Sequence, residues 1–188
     1  MLLAIIGVLV ARQQRSRKLK ADFGPEYNRV LVERGDQRSA ENELASRRKR
    51  LSEFEIRRLE PADRERYVER WGATQRRFVD EPEAAVTEAH LLVQQVMHDR
   101  GYPVDEDFQQ RAADLSLDHP AVVENYRAAN SISLRAQQGQ ANTEQLRQAM
   151  VYFRALFDDL LAPSDGAPAR DGDSSAPAAV RHETTRRS

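Results

Sequence analysis

The sequence contains no cysteine, which excludes disulfides, thiolate nucleophiles and Cys-ligated zinc or iron–sulfur centres. It also lacks a glycine-rich phosphate loop, a G-x-S-x-G elbow, a dinucleotide fingerprint and an HExxH zinc motif. Aromatic residues make up only 6%, and the formal net charge is -1, so no global field exists to hold nucleic acid. A nucleic-acid partner is therefore not expected. Lysine is confined to Lys18, Lys20 and Lys49, leaving arginine to supply nearly all of the 29 basic residues. That skew fits a GC-rich coding sequence, so clusters of arginine carry little weight by themselves. What remains is 31% charged and 40% hydrophobic with only eight glycines, a composition suited to helices with broad solvated faces.

One stretch stands apart. Residues 1–11 (MLLAIIGVLVA) carry no charge and no hydrogen-bonding side chain, and Arg12, Arg15, Arg17, Lys18 and Lys20 follow at once. This reads as one end of a membrane anchor with a basic juxtamembrane segment over residues 12–22 and lipid headgroups as the contacts of those five cations. At about 1.5 Å per residue the apolar run covers about 16 Å, roughly half of a hydrocarbon core of about 30 Å. A secretory signal would place the charge before the apolar run and a small-x-small site after it, and neither is present. The expectation is a truncated anchor whose missing apolar residues lie upstream of Met1. Basic residues after the run place the body in the cytoplasm. The bland alternative is an apolar end that packs on the domain.

Punctuation divides the rest into helices. Pro25 suits a first helical turn, and Tyr27, Val30 and Leu31 share a face before Gly35 interrupts. Residues 37–50 read as helical but barely amphipathic, a candidate stalk or partner helix ending in Arg47, Arg48, Lys49 and Arg50. Residues 52–60 read as an extended strap. Pro61 then restarts a helix with Tyr67, Trp71 and Phe78 inward, and Pro82 opens the next, striped by Ala85, Val86, Ala89, Leu92, Val93, Val96 and Met97. Gly101 and Pro103 stop it. A short helix follows with Phe108, Ala112 and Leu115 inward, then one begun near Pro120 with Val122, Val123, Tyr126, Ala129 and Ser133 inward. Asn142 or Thr143 caps the last, whose stripe is Leu146, Met150, Phe153, Leu156, Phe157 and Leu160. The expected body is one all-α domain over residues 23–161, an irregular bundle of five or six helices. Residues 162–188 have almost nothing to bury and read as a disordered tail.

Chemistry is sparse. The densest polar patch holds Arg111, Asp114, Asp118 and His119, with Ser116 and Pro120 beside them. Two carboxylates, a guanidinium and an imidazole could form an acid/base pair, but helix capping and turn bonding use the same residue types far more often. His90 and His98 lie eight residues apart, about 80° around a helix, and form no chelating pair. No catalytic residue, metal site or cofactor is expected, and an enzymatic role has no positive support.

Five segments taken in order carry a resemblance: residues 23–27 (FGPEY), 77–82 (RFVDEP), 100–104 (RGYPV), 111–120 (RAADLSLDHP) and 143–150 (TEQLRQAM). Together they resemble a family of uncharacterised bacterial proteins labelled secreted or single-pass membrane proteins. The resemblance covers residues 19–161. It implies a full-length hydrophobic span before the basic segment, of which this chain shows eleven apolar residues, and it implies no activity, ligand or catalytic residue. The resulting expectation is a bacterial inner-membrane protein, single pass, whose cytoplasmic body engages a protein partner as an interaction or scaffolding domain. The competing expectation is a ligand-binding or enzymatic domain centred on Arg111, Asp114, Asp118 and His119.

Overall fold

The apolar stripes of the last two long helices meet, and the fold grows from that meeting. The structure, a computed structural model, describes residues 2–162, and within the first helix it describes no side chain at positions 2–6, 8, 9 and 12. Residues 163–188, nearly all of the expected tail, lie outside the described residues. Eight helices and no strand are present among the described residues: α1 (Leu2–Phe23), α2 (Pro25–Arg34), α3 (Gln37–Leu51), α4 (Pro61–Arg77), α5 (Pro82–Asp99), α6 (Phe108–Asp118), α7 (Val123–Gln137) and α8 (Thr143–Leu161). The all-α expectation holds. The count is higher than five or six because α2 and α3 are separate packed helices, turned against each other where Gly35 adopts a left-handed φ of 75°.

α8 lies against α5 and α7, and α4 closes on α5. Asn142 and Gln145 start α8 with reciprocal side-chain-to-backbone bonds, which satisfies two donors that a helix start otherwise leaves open. Inside, Trp71 stacks on Phe157 with ring centroids 4.6 Å apart, and Phe108 tilts against Tyr126 at 4.9 Å. All seven stripe residues of α5 and all six of α8 are buried. α7 starts at Val123 rather than at Pro120, because residues 120–122 form a turn in which Val122 and Val123 both donate to the His119 carbonyl.

A second, smaller core holds Leu19 and Phe23 of α1, Tyr27 and Val30 of α2, and Ala40 and Leu44 of α3. α3 is therefore a packed helix and not a projecting stalk. Its buried face reads Ala40, Glu41, Leu44, Arg47 and Leu51; two of those five are charged, so hydropathy conceals the stripe. Leu117 of α6 packs against both cores.

Between α3 and α4, residues 55–60 run without regular structure along the end of α5. Arg57 N–H donates to the Arg100 carbonyl at 2.8 Å, Arg57 Nε to the Asp99 carbonyl at 2.9 Å, and Arg100 Nε to the Arg57 carbonyl at 3.2 Å. Gly101 is what permits this approach. A Cβ there would stand 2.3 Å from the Glu55 carbonyl oxygen, and its φ is +91°.

Candidate functional site

α1 sorts its residues along its axis. The apolar run and the cations that follow it belong to one continuous helix, and among its described side chains those seated in the body lie at the far end. Gly7, Val10 and Ala11 are exposed, Val10 by 48%, and a Cβ added at Gly7 would meet nothing within 4 Å. The alternative in which this end packs on the domain is not what these residues show. Among the described side chains of α1, burial begins at Ser16 and continues at Leu19 and Phe23. No helix among the described residues is long and apolar enough to cross a membrane. The expected spanning anchor is thus not shown, since charge enters α1 at position 12, long before a span's length is reached.

The seat is built from buried carboxylates that hydropathy does not reveal. Glu41, 5% exposed, accepts from Ser16 Oγ at 2.5 Å, from Tyr27 Oη at 3.1 Å and from Gln37 Nε2 at 2.7 Å, so one carboxylate holds α1, α2 and α3 together. Glu26, 1% exposed, accepts from Arg127 Nη1 and Nη2 at 2.8 and 3.0 Å, from Arg47 Nη1 at 2.8 Å and from Arg29 Nε at 3.2 Å. Burial pushes its pKa up, but the three guanidiniums outweigh burial and hold it below the usual carboxylate value. This group ties the small core to α7 of the large one.

The basic run at the end of α3 is spent on the same seam. Arg47 faces Glu26 and Glu43, Arg48 faces Asp22 on α1, and Arg50 faces Asp114 and Glu106. Only Lys49 of the four carries no ion pair among the described residues. The cations of α1 differ. Arg15, Arg17, Lys18 and Lys20 are exposed, and among the described residues no carboxylate is placed against any of them. Lys20 lies over the Tyr27 ring, 5.1 Å from its centroid. The side chain of Arg12 lies outside the described residues.

The polar patch of residues 111–119 divides in two. Arg111 Nη1 donates to the carbonyls of Val104, at 3.1 Å, and Glu106. Asp114 accepts from Gln110 at 2.9 Å and lies 3.3 Å from Arg50; burial raises its pKa, against the pull of Gln110 and Arg50. Asp118, itself exposed, and the buried His119 belong instead to an array with groups that sequence spacing did not suggest. Tyr102 Oη donates to Asp118 Oδ2 at 2.8 Å and lies 3.1 Å from His119 Nε2, while His119 Nδ1 meets Asp159 Oδ2. Arg100 Nη1 sits 3.4 Å from His119 Nε2 and donates to the Leu160 carbonyl at 3.0 Å. Chemically, the array closes the ends of α5, α6 and α8 on one another, each group satisfied by another or by backbone. Among the described residues no group of three or more His, Asp or Glu side chains could hold a metal ion.

His90 is the other histidine of consequence. Its ring stacks on Phe153 at 5.3 Å and meets Tyr126 edge-on at 6.4 Å. Burial, helped by the nearby Arg111 charge, lowers its pKa from 6.5 to about 4. The folded protein thus keeps this ring neutral where the unfolded chain protonates it. Stability from His90 is fully present above pH 6.5 and is lost as the pH falls from about 6.5 to about 4. The loss is expected to reach about 3 kcal/mol at most, and His90→Phe should flatten the pH profile of the urea midpoint across that window. An unchanged slope in the variant would assign the acid sensitivity to other groups.

Comparisons with known protein families, curated proteins and solved structures return no match to this chain.

Proposed function

We propose that the chain is a membrane-tethered helical interaction or scaffolding module, held at the bacterial inner membrane by the apolar end of α1 with its body on the cytoplasmic side. The observation that carries this reading is the continuity of α1: Gly7, Val10 and Ala11 stand exposed on the same helix whose far end is seated in the core. The seat explains why such a helix would transmit position to the body. Ser16, Leu19 and Phe23 fix it against α2 and α3, and Glu26 fixes those helices to α7. The cytoplasmic side follows from the cations directly after the apolar stretch, which short flanking segments retain in the cytoplasm. The bacterial setting rests on the resemblance to the uncharacterised membrane-protein family described above.

The test is alkaline carbonate extraction of bacterial membranes containing the full chain or its Ile5→Glu, Leu9→Glu double variant. The native chain should stay with the membrane pellet, and the variant should move to the supernatant, since each charge placed in the hydrocarbon costs about 3 kcal/mol. Equal release of both proteins would remove the tether.

A further inference from the structure

The cations of α1 form a collar, and we infer that this collar binds the phosphates of anionic phospholipid headgroups while the apolar end of α1 enters the bilayer steeply. The inference rests on the tether reading and adds to it the lipid that is recognised and the attitude of the helix.

Two arrangements are possible for a short membrane-binding helix. One that lies in the interface has an apolar face and a polar face along its whole length. α1 has neither. Its apolar residues come first and its charged residues follow, so polarity is separated along the axis and not around it. At about 100° per residue, Ser16, Leu19 and Phe23 occupy an arc of about 60°, and Arg15, Arg17, Lys18 and Lys20 fan over the remaining ~300°. A helix lying flat would bury some of those charges in hydrocarbon. A helix entering steeply presents all of them to one layer.

The axial extent fits that layer. Arg15 to Lys20 spans about 7.5 Å of helix at 1.5 Å per residue, and each headgroup region of a bilayer is about 5–8 Å thick.

Charge complementarity supplies the occupant. Elsewhere on the surface many arginines are paired, Arg34 with Glu43, Arg66 with Asp63, Arg77 with Glu81, Arg147 with Glu144 and Arg154 with Asp158, while Arg38, Arg64 and Arg76 have no ion pair among the described residues; what sets the collar apart is that its unpaired cations crowd into one stretch of α1 beside the apolar run. Even the run at the end of α3 spends Arg47, Arg48 and Arg50 on carboxylates. Among the described residues no ion pair joins the collar to a carboxylate, and the nearest paired cation, Arg48, takes Asp22 of α1 for itself. A dense anionic surface next to an apolar insertion matches it.

The test uses the full chain and its Arg15→Gln, Arg17→Gln, Lys18→Gln, Lys20→Gln variant, all four positions being exposed. Both are sedimented with vesicles of phosphatidylcholine alone and of phosphatidylcholine mixed with phosphatidylglycerol, at low and at high salt. Four cations should together raise binding to the anionic vesicles by a few hundred-fold over the neutral ones. High salt should abolish that gain, as should the quadruple substitution, whose circular dichroism should match the native chain. Equal binding of the native chain to both vesicles overturns headgroup recognition while leaving the tether in place, and a gain retained by the variant overturns the collar. Absence of binding to neutral vesicles counts against the tether itself and is read separately.

Discussion

Replacing Glu26 with alanine is expected to destabilise the protein by about 3–5 kcal/mol, measured as the loss of unfolding free energy in urea. The carboxylate is 1% exposed and receives four charge-assisted bonds from three arginines. Its removal leaves Arg47 and Arg127 side by side with exposures of only 9% and 12% and no buried anion between them. The penalty comes mainly from those poorly hydrated guanidiniums, left with only the more exposed Glu43 and Glu124, because a buried ion pair returns little more than its own desolvation cost. A second variant separates the two contributions. Glu26→Leu combined with Arg47→Met and Arg127→Met removes all three charges and keeps the volume, and it should recover most of the loss. If the triple variant is as unstable as Glu26→Ala, packing and not charge is the source. The pH sign follows from the depressed pKa of Glu26: its contribution is full above about pH 4.5 and is lost as the pH falls through the lower folded value.

The same residue shows where the sequence stops being informative. Arg127 lies 101 positions from Glu26, and nothing local to either signals the pairing. Near the start of α2, Glu26 reads as an ordinary acid favoured by the helix dipole. Hydropathy likewise hides α3, since Glu41 and Arg47 occupy inward positions that are tolerable only once Ser16, Tyr27 and Glu26 stand opposite. By contrast α5 and α8 were legible residue by residue. Their inward positions are filled by apolar side chains, and burial of such groups needs no particular partner. The strap of residues 55–60 and the stop at Gly101 were legible for a local reason as well, in that backbone freedom at glycine and its loss at proline act within a few residues.

The polar patch between Arg111 and His119 illustrates the intermediate case. Sequence proximity suggested one group of four, whereas α6 carries Asp114 toward Arg50 of α3 and ends with Asp118 and His119 beside Tyr102 and Asp159. Which groups meet is decided by what docks on the helix. The apolar end of α1 is the opposite: its composition was plain, and its continuity with the core through Ser16, Leu19 and Phe23 was not, because the cations between them read as a boundary.

Phe153→Ala should cost about 3–5 kcal/mol, the usual range for removing a fully buried phenyl ring. For a domain of this size that corresponds to a fall in Tm on the order of 10 °C. Phe153 is 0% exposed at the centre of α8, stacked on His90 at 5.3 Å and edge-on to Tyr126 at 6.5 Å. The neighbours that would have to collapse into the space belong to α5 and α7, each held by its own contacts with the core, so most of the cavity should persist. Its effect on His90 distinguishes this site from an ordinary cavity. The phenyl ring is part of what removes water from the imidazole, and desolvation is the main reason that pKa lies near 4. Opening the space relieves that desolvation and lets the folded-state pKa rise toward 6.5. Phe153→Ala should therefore be less stable than the native protein at neutral pH, while losing less further stability between pH 6.5 and 4. The two effects are read from one set of urea titrations across pH. A uniform loss at every pH would show that Phe153 supports the core without shielding His90.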